Sequence, residues 1–319
     1  MQYYLYIFAA VVLLALQFST NKAYGVRCGD GARASLVFAT AAGFASAAVT
    51  YVIAVTVGGG FRFTWFSLFT GALMASLSCA YTLIGFKIMA LGDMSVFMMF
   101  LMLGGMMLPY LFGVTVLGEF RDAEPWRITM RVAGLVLLTL SMIFPVLARR
   151  KSGKGGGRLF VVLCLAVFLL NGVASIVSKT HQINLFDKDV VNAPSYACLG
   201  NFMNGVISAV CLAAVAIRER GKAKGGEPPE NGAAVSAKRA ALPAVVLIIA
   251  ANALCNSVSY TFQLLSASKL PASVLYPMVT GGSVVLSAVA GRIFFREKPD
   301  RITLAGLGLS FVATFLFLF

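Results

Sequence analysis

Four side chains that donate and accept hydrogen bonds, Asn252, Asn256, Tyr260 and Gln263, sit in an otherwise apolar run at spacings of four, four and three. On a helix, that spacing puts them on one face. A second apolar run carries Gln17 and Asn21, also four apart, with Lys22 beside them. A third carries Asn171 and Ser175, followed by Lys179. Tyr81 and Tyr276 add aromatic faces with polar tips. These eleven residues, Lys179 aside, are the candidate substrate-binding set, and their chemistry is recognition of a small polar molecule. Polar groups in a bilayer are costly unless paired. Each therefore has two readings: it lines an internal cavity, or it bonds a neighbouring helix for about 0.6 kcal/mol. For Lys22 and Lys179 the alternatives are a substrate anion in the cavity or snorkelling to an interface.

The residues that would do covalent or metal chemistry are scarce. No Asp or Glu stands in the middle of an apolar run, and His181 is the single histidine. The six cysteines include no CxxC pair, so a Cys/His metal site lacks ligands. Gly58–Gly60 and Gly155–Gly157 do not precede Lys-Ser/Thr, so neither is a phosphate loop. No catalytic residue, metal or cofactor is expected, and the chain does not read as an enzyme.

The elements that carry these residues are membrane spans. Of 319 residues, 59% are hydrophobic and 12% charged, against about 25% charged in a soluble domain. Mean hydropathy is +0.87. A soluble enzyme, a disordered chain and a nucleic-acid-binding domain are excluded, because the net charge of +14 lies between and at the edges of apolar runs. A span needs about 20 apolar residues. Ten stretches qualify: 3–21, 35–57, 64–86, 94–118, 128–148, 159–178, 193–217, 241–266, 272–294 and 302–319. The first has no basic region before it and no cleavage pattern after it, and reads as a retained helix. The basic, Gly-rich connection 149–158 divides the stretches five and five. The expected fold is an all-α integral membrane protein, with repeats at 1–148 and 159–319. Odd-numbered connections hold 19 of the 26 Lys and Arg, and even-numbered ones hold 7. The positive-inside rule then predicts both termini outside the cytoplasm, in a plasma or inner membrane.

The two halves resemble each other. Tyr81-Thr82 stands 38 residues before Glu119, and Tyr260-Thr261 stands 37 before Glu297. After each Glu comes Arg-Ile-Thr, at 127–129 and 301–303, with Gly134 and Gly308 seven residues beyond each Arg. GFASAAV from Gly43 matches GVISAV from Gly205, and the first and sixth stretches both close on a Lys. Five spans per repeat is an odd number, so the second repeat enters the membrane inverted. Transporters use such repeats to reach two mirror-related conformations.

With Leu117-Gly118-Glu119 and Arg296-Glu297 ending the fourth helix of each repeat, the chain resembles the drug/metabolite transporter superfamily, EamA type. Pro277, twenty residues before Glu297, fits the pattern. The first half departs from it, with Met98 and Met99 in that place and Pro109 only ten residues before Glu119. The resemblance implies ten inverted-repeat spans, with helices 1, 3, 4, 6, 8 and 9 lining a path. Small multidrug relatives carry a Glu in their first helix. The first stretch here has none, which argues against a carboxylate-coupled cation antiporter. The expected function is secondary transport of a small polar metabolite, such as an amino acid or derivative or a sugar, by alternating access. An organophosphate or nucleotide-sugar exchanger is the alternative, and a membrane-embedded lipid-handling protein or enzyme is the reading from another class. The expected partners are the metabolite and the bilayer, with no nucleic acid, in a monomer or homodimer.

Overall fold

The computed structural model describes all residues except 1, 30, 92–93, 122, 150–157, 225–241, 297–300 and 319. Side chains are described except at 86–87, 89–91, 94–99, 142–149, 220–224 and 301–303. The described residues form ten α-helices and no strand. They are α1 Gln2–Cys28, α2 Ala32–Thr56, α3 Trp65–Leu91, α4 Met94–Thr115, α5 Pro125–Arg149, α6 Arg158–Gln182, α7 Ala193–Lys224, α8 Leu242–Ala267, α9 Ala272–Phe295 and α10 Arg301–Leu316. Each coincides with one apolar stretch of the sequence. Among the described residues, seven helices are long and apolar enough to cross a membrane: α1, α2, α6, α7, α8, α9 and the 65–85 part of α3. Large apolar side chains such as Phe8, Val52, Phe69, Leu169, Val210, Leu247 and Phe294 are exposed on the outside of the bundle. A soluble protein would not leave so much apolar surface bare; lipid covers it at no cost. The chain is a multi-pass membrane protein.

Helix ends follow from local chemistry. Thr64 Oγ1 accepts the Ser67 N–H at the start of α3, and Asn192 Oδ1 accepts the Ser195 N–H at the start of α7. These are side-chain caps on otherwise orphaned donors. Pro125 opens α5, where its missing N–H is harmless. Helix α1 departs from expectation. Its polar end, Gln17 to Lys22, stays helical and continues to Cys28. Asn21 therefore stands inside the bundle's length and not at a helix end.

The packing has a regular pattern. Helix α2 packs on α7, α1 on α8 and α9, α2 on α8, α4 on α6 and α9, α3 on α6 and α7, and α5 on α10. Replacing every helix of the first half by the one five places later, and vice versa, returns the same set of pairs. Two four-helix groups emerge, α1, α2, α8 and α9 against α3, α4, α6 and α7, and the exchange converts one into the other. Contacts between the groups run mainly through α2 with α7 and α4 with α9, with smaller ones from α8 to α6 and α7.

The α2–α7 crossing explains one sequence match. A Cβ on Gly43 would stand 2.7 Å from the Gly205 nitrogen and 2.8 Å from its Cα. The two glycines matched between the halves in sequence thus stand against each other. Small residues at such crossings let the helix backbones approach. Gly104 and Gly282, each fifteen residues before Glu119 and Glu297, are a further match. Gly104 lies against Phe168 of α6, and Gly282 against Val11 of α1.

Candidate functional site

Two cavities lie between the four-helix groups. The larger, about 520 Å³, is lined by residues of α1, α2, α3, α7 and α8 and reaches Gly25, Gly29 and Ser35 at the α1–α2 connection. The smaller, about 150 Å³, lies among α3, α6, α8 and α9. Met74, Ser78, Tyr81 and Tyr260 line both and form the junction. The larger volume suits a small molecule.

The sequence-derived residues distribute as follows. Gln17, Asn21, Asn252 and Asn256 line the larger cavity. Asn171, Ser175, Gln263 and Tyr276 line the smaller, and Tyr81 and Tyr260 stand at the junction. Lys22 is the exception. Its Nζ lies 4.6 Å from the centre of the Phe295 ring, so it faces α9 and lines neither cavity.

The amides form a connected wall. Gln17 donates to Asn256 Oδ1 at 3.2 Å. Asn256 Nδ2 donates to Ser46 Oγ and Asn201 Oδ1, both at 3.2 Å, tying α8 to α2 and α7. Asn252 Nδ2 donates to Asn21 Oδ1 at 2.6 Å and Thr20 Oγ1 at 2.8 Å. Asn252 is buried and ties α8 to α1 at the cavity wall. The two readings of these amides are thus not exclusive: the same residues bond helices together and border an open space.

In the smaller cavity the polar groups serve the walls. Asn171 Nδ2 donates to Leu101 O at 2.7 Å, Tyr276 O–H to Ser175 O at 2.8 Å, and Gln263 Nε2 to Ser259 Oγ at 3.1 Å. Ser78 O–H donates to Tyr81 Oη at 2.7 Å, and Tyr260 O–H reaches Met74 Sδ at 3.4 Å. The hydroxyls of Tyr81, Tyr260 and Tyr276 are thus engaged by the walls.

Beyond the smaller cavity, at the α6 end, the bundle is clasped. Lys179 is 3% exposed and donates to Ala267 O at 2.7 Å and Leu270 O at 2.6 Å. It thereby satisfies carbonyls left over at the end of α8. Glu119 accepts the Ala272 N–H at 2.5 Å and the Ser273 N–H at 2.9 Å. It caps α9, where a negative charge also meets the helix dipole favourably. Gly118, at φ +66°, makes the turn that folds Glu119 back toward α9. Glu119 and Lys179 attract each other electrostatically, and together they hold the α8–α9 connection against α4 and α6.

Sequence reasoning passed over Asn201 and Asn204 of α7, along with Ser46, Ser78 and Tyr24, all lining residues of the larger cavity. The Asn201-x-x-Asn204 spacing was the available signal, since residues three apart share a helix face. One further pair lies outside both cavities. Ser67 Oγ and His181 Nε2 are 2.8 Å apart. Both are almost fully buried, and Phe66 and Tyr196 stack on the imidazole. Ser67 also accepts the Val191 N–H, so the pair fastens the α6–α7 connection. Among the described residues, no group of three or more His, Cys, Asp or Glu is placed to hold a metal.

No protein-family model and no curated protein matches the chain. Among solved structures, 27 chains match. One of them, a crystal structure of a protein, is similar with a TM-score of 0.70 at 15% identity, over 99% of this chain and 96% of that one. At that identity the likeness is one of fold.

Proposed function

We propose that the chain is a secondary transporter that moves a small polar metabolite by alternating access. Residues 1–148 and 159–319 are its two inverted five-helix repeats, joined by the basic linker 149–158. The observation that carries this reading is the cavity between two four-helix groups that exchange under the swap of the halves. It reaches the α1–α2 end, while the Lys179–Glu119 clasp spans the other end. One fold present in both orientations supports a mirror state with the ends reversed. Met74, Ser78, Tyr81 and Tyr260 at the junction are the midpoint of the path.

The sequence counterparts of Lys179 and Glu119 are Lys22 and Glu297. In the mirror state they clasp the α3–α4 connection. Glu297 lies outside the described residues. In this reading the basic connections face the cytoplasm, both termini lie outside it in a plasma or inner membrane, and the present state opens to the cytoplasm. The resemblance to EamA-type drug/metabolite transporters supports the same architecture.

An organophosphate or nucleotide-sugar exchanger needs cationic side chains at the cavity. Among the described residues, no Lys or Arg lines either cavity, which favours the polar-metabolite reading. The test of function is substrate-dependent flux in proteoliposomes by wild-type protein, compared with Asn256→Ala protein of unchanged helicity. Flux that is the same in both removes Asn256 from the path.

A further inference from the structure

Every lining side chain described in the two cavities lacks formal charge. The donors and acceptors are the amides of Gln17, Asn21, Asn201, Asn204, Asn252 and Asn256 in the larger cavity and of Asn171 and Gln263 in the smaller, joined by the hydroxyls of serines, a threonine and tyrosines. At the clasp, Lys179 donates to the main-chain carbonyls of Ala267 and Leu270, and Glu119 accepts the main-chain N–H groups of Ala272 and Ser273. One amide has capacity to spare. Asn201 lines the larger cavity, is 7% exposed, and its Nδ2 is buried without a hydrogen-bond partner. Its Oδ1 is held by Asn256, so the amide's orientation is set with a donor left over. A buried donor without a partner costs about 1–3 kcal/mol.

We propose that this site takes an uncharged substrate rich in hydroxyl and carbonyl groups. This rests on the transport reading and narrows it: free amino acids, organic acids, amines and phosphate esters are excluded. The reason is desolvation. An ionised group moved from water into this space loses its hydration, and no described side chain supplies a countercharge. Amides instead offer a donor and an acceptor at each position, which matches hydroxyls and carbonyls. Tyr81, Tyr260 and Tyr276 add apolar ring faces for the carbon skeleton.

The test needs no knowledge of the substrate. Ser78→Cys, at the junction, is placed in protein whose six native cysteines are replaced by serine or alanine. Its reaction rate is measured with three methanethiosulfonates of similar size: neutral hydroxyethyl, anionic ethylsulfonate and cationic ethyltrimethylammonium. Each rate is divided by that of the same reagent with a free thiol. Asn204→Cys, on α7, is the second position in case Ser78→Cys misfolds. The expected result is that both charged reagents are slowed relative to the neutral one, by roughly tenfold or more. An anionic or cationic reagent that matches or outpaces the neutral one overturns the proposal. If none of the three reacts at either position, the cavity is not reachable, and the transport reading fails together with its substrate class.

Discussion

Replacing Glu119 by Gln keeps the size of the side chain and removes its charge. In the clasp, two carboxylate oxygens accept the Ala272 and Ser273 N–H groups. A glutamine has one oxygen, so one N–H is left facing an NH₂ group, and Lys179 loses the attraction of the Glu119 charge. A hydrogen bond to a charged group contributes about 1.5–3 kcal/mol. Taking about 2 kcal/mol for the lost bond, the balance between clasped and open ends shifts about thirtyfold. A minor state of about 1% would rise to about a quarter of the population. Spin labels on cysteines at Thr115, at the end of α4, and Lys269, beside the clasped carbonyls, read the separation by pulsed dipolar spectroscopy. Both sites are exposed. The expected outcome is a new, longer distance in Glu119→Gln and in Lys179→Met, absent from wild-type. Distance distributions identical to wild-type in both variants, with folding intact, would refute the clasp as a gate.

Further outcomes follow from the same geometry. Asn256→Ala removes bonds to Gln17, Ser46 and Asn201; flux should fall at least tenfold, while the melting temperature drops by only a few degrees. Gly43→Ala drives a Cβ into the Gly205 backbone and should lower thermal stability by about 1–3 kcal/mol. Gly308→Ala, with nothing within 4 Å of the new Cβ, should leave stability equal or slightly higher; equal losses in the two glycine variants would contradict the crossing. A reporter fused after Phe319 should behave as external, and a cytoplasmic signal would overturn the reading of the basic connections.

The ten helices were legible because a bilayer imposes a length and an apolar composition that no other element satisfies. The α8 stripe was legible because four polar residues at helical spacing stand out against an apolar run. Asn201 and Asn204 were harder to find: α7 begins among Ser195, Tyr196 and Asn201, so polarity there carries less contrast. Lys179 and Glu119 were named separately, each in its own motif. Nothing in the sequence says that they converge, because they meet only through the main chain of the α8–α9 connection, where residue type leaves no trace. The end of α1 differs for a related reason. The apolar stretch stops at residue 21, but Gln17, Thr20 and Asn21 bond Asn252 and Asn256 of α8, and the helix runs on to Cys28.

The central claim is that one site is reached from one side of the membrane at a time. The most direct measurement is labelling of Ser78→Cys by an impermeant thiol reagent in right-side-out and inverted vesicles, with the α6–α8 end either free or locked by a cross-link between cysteines at Lys179 and Leu270. The account predicts labelling from both faces in the free protein. With the lock in place, labelling should persist from the α1–α2 face and be lost from the other. Labelling from one face alone, locked or not, would contradict it.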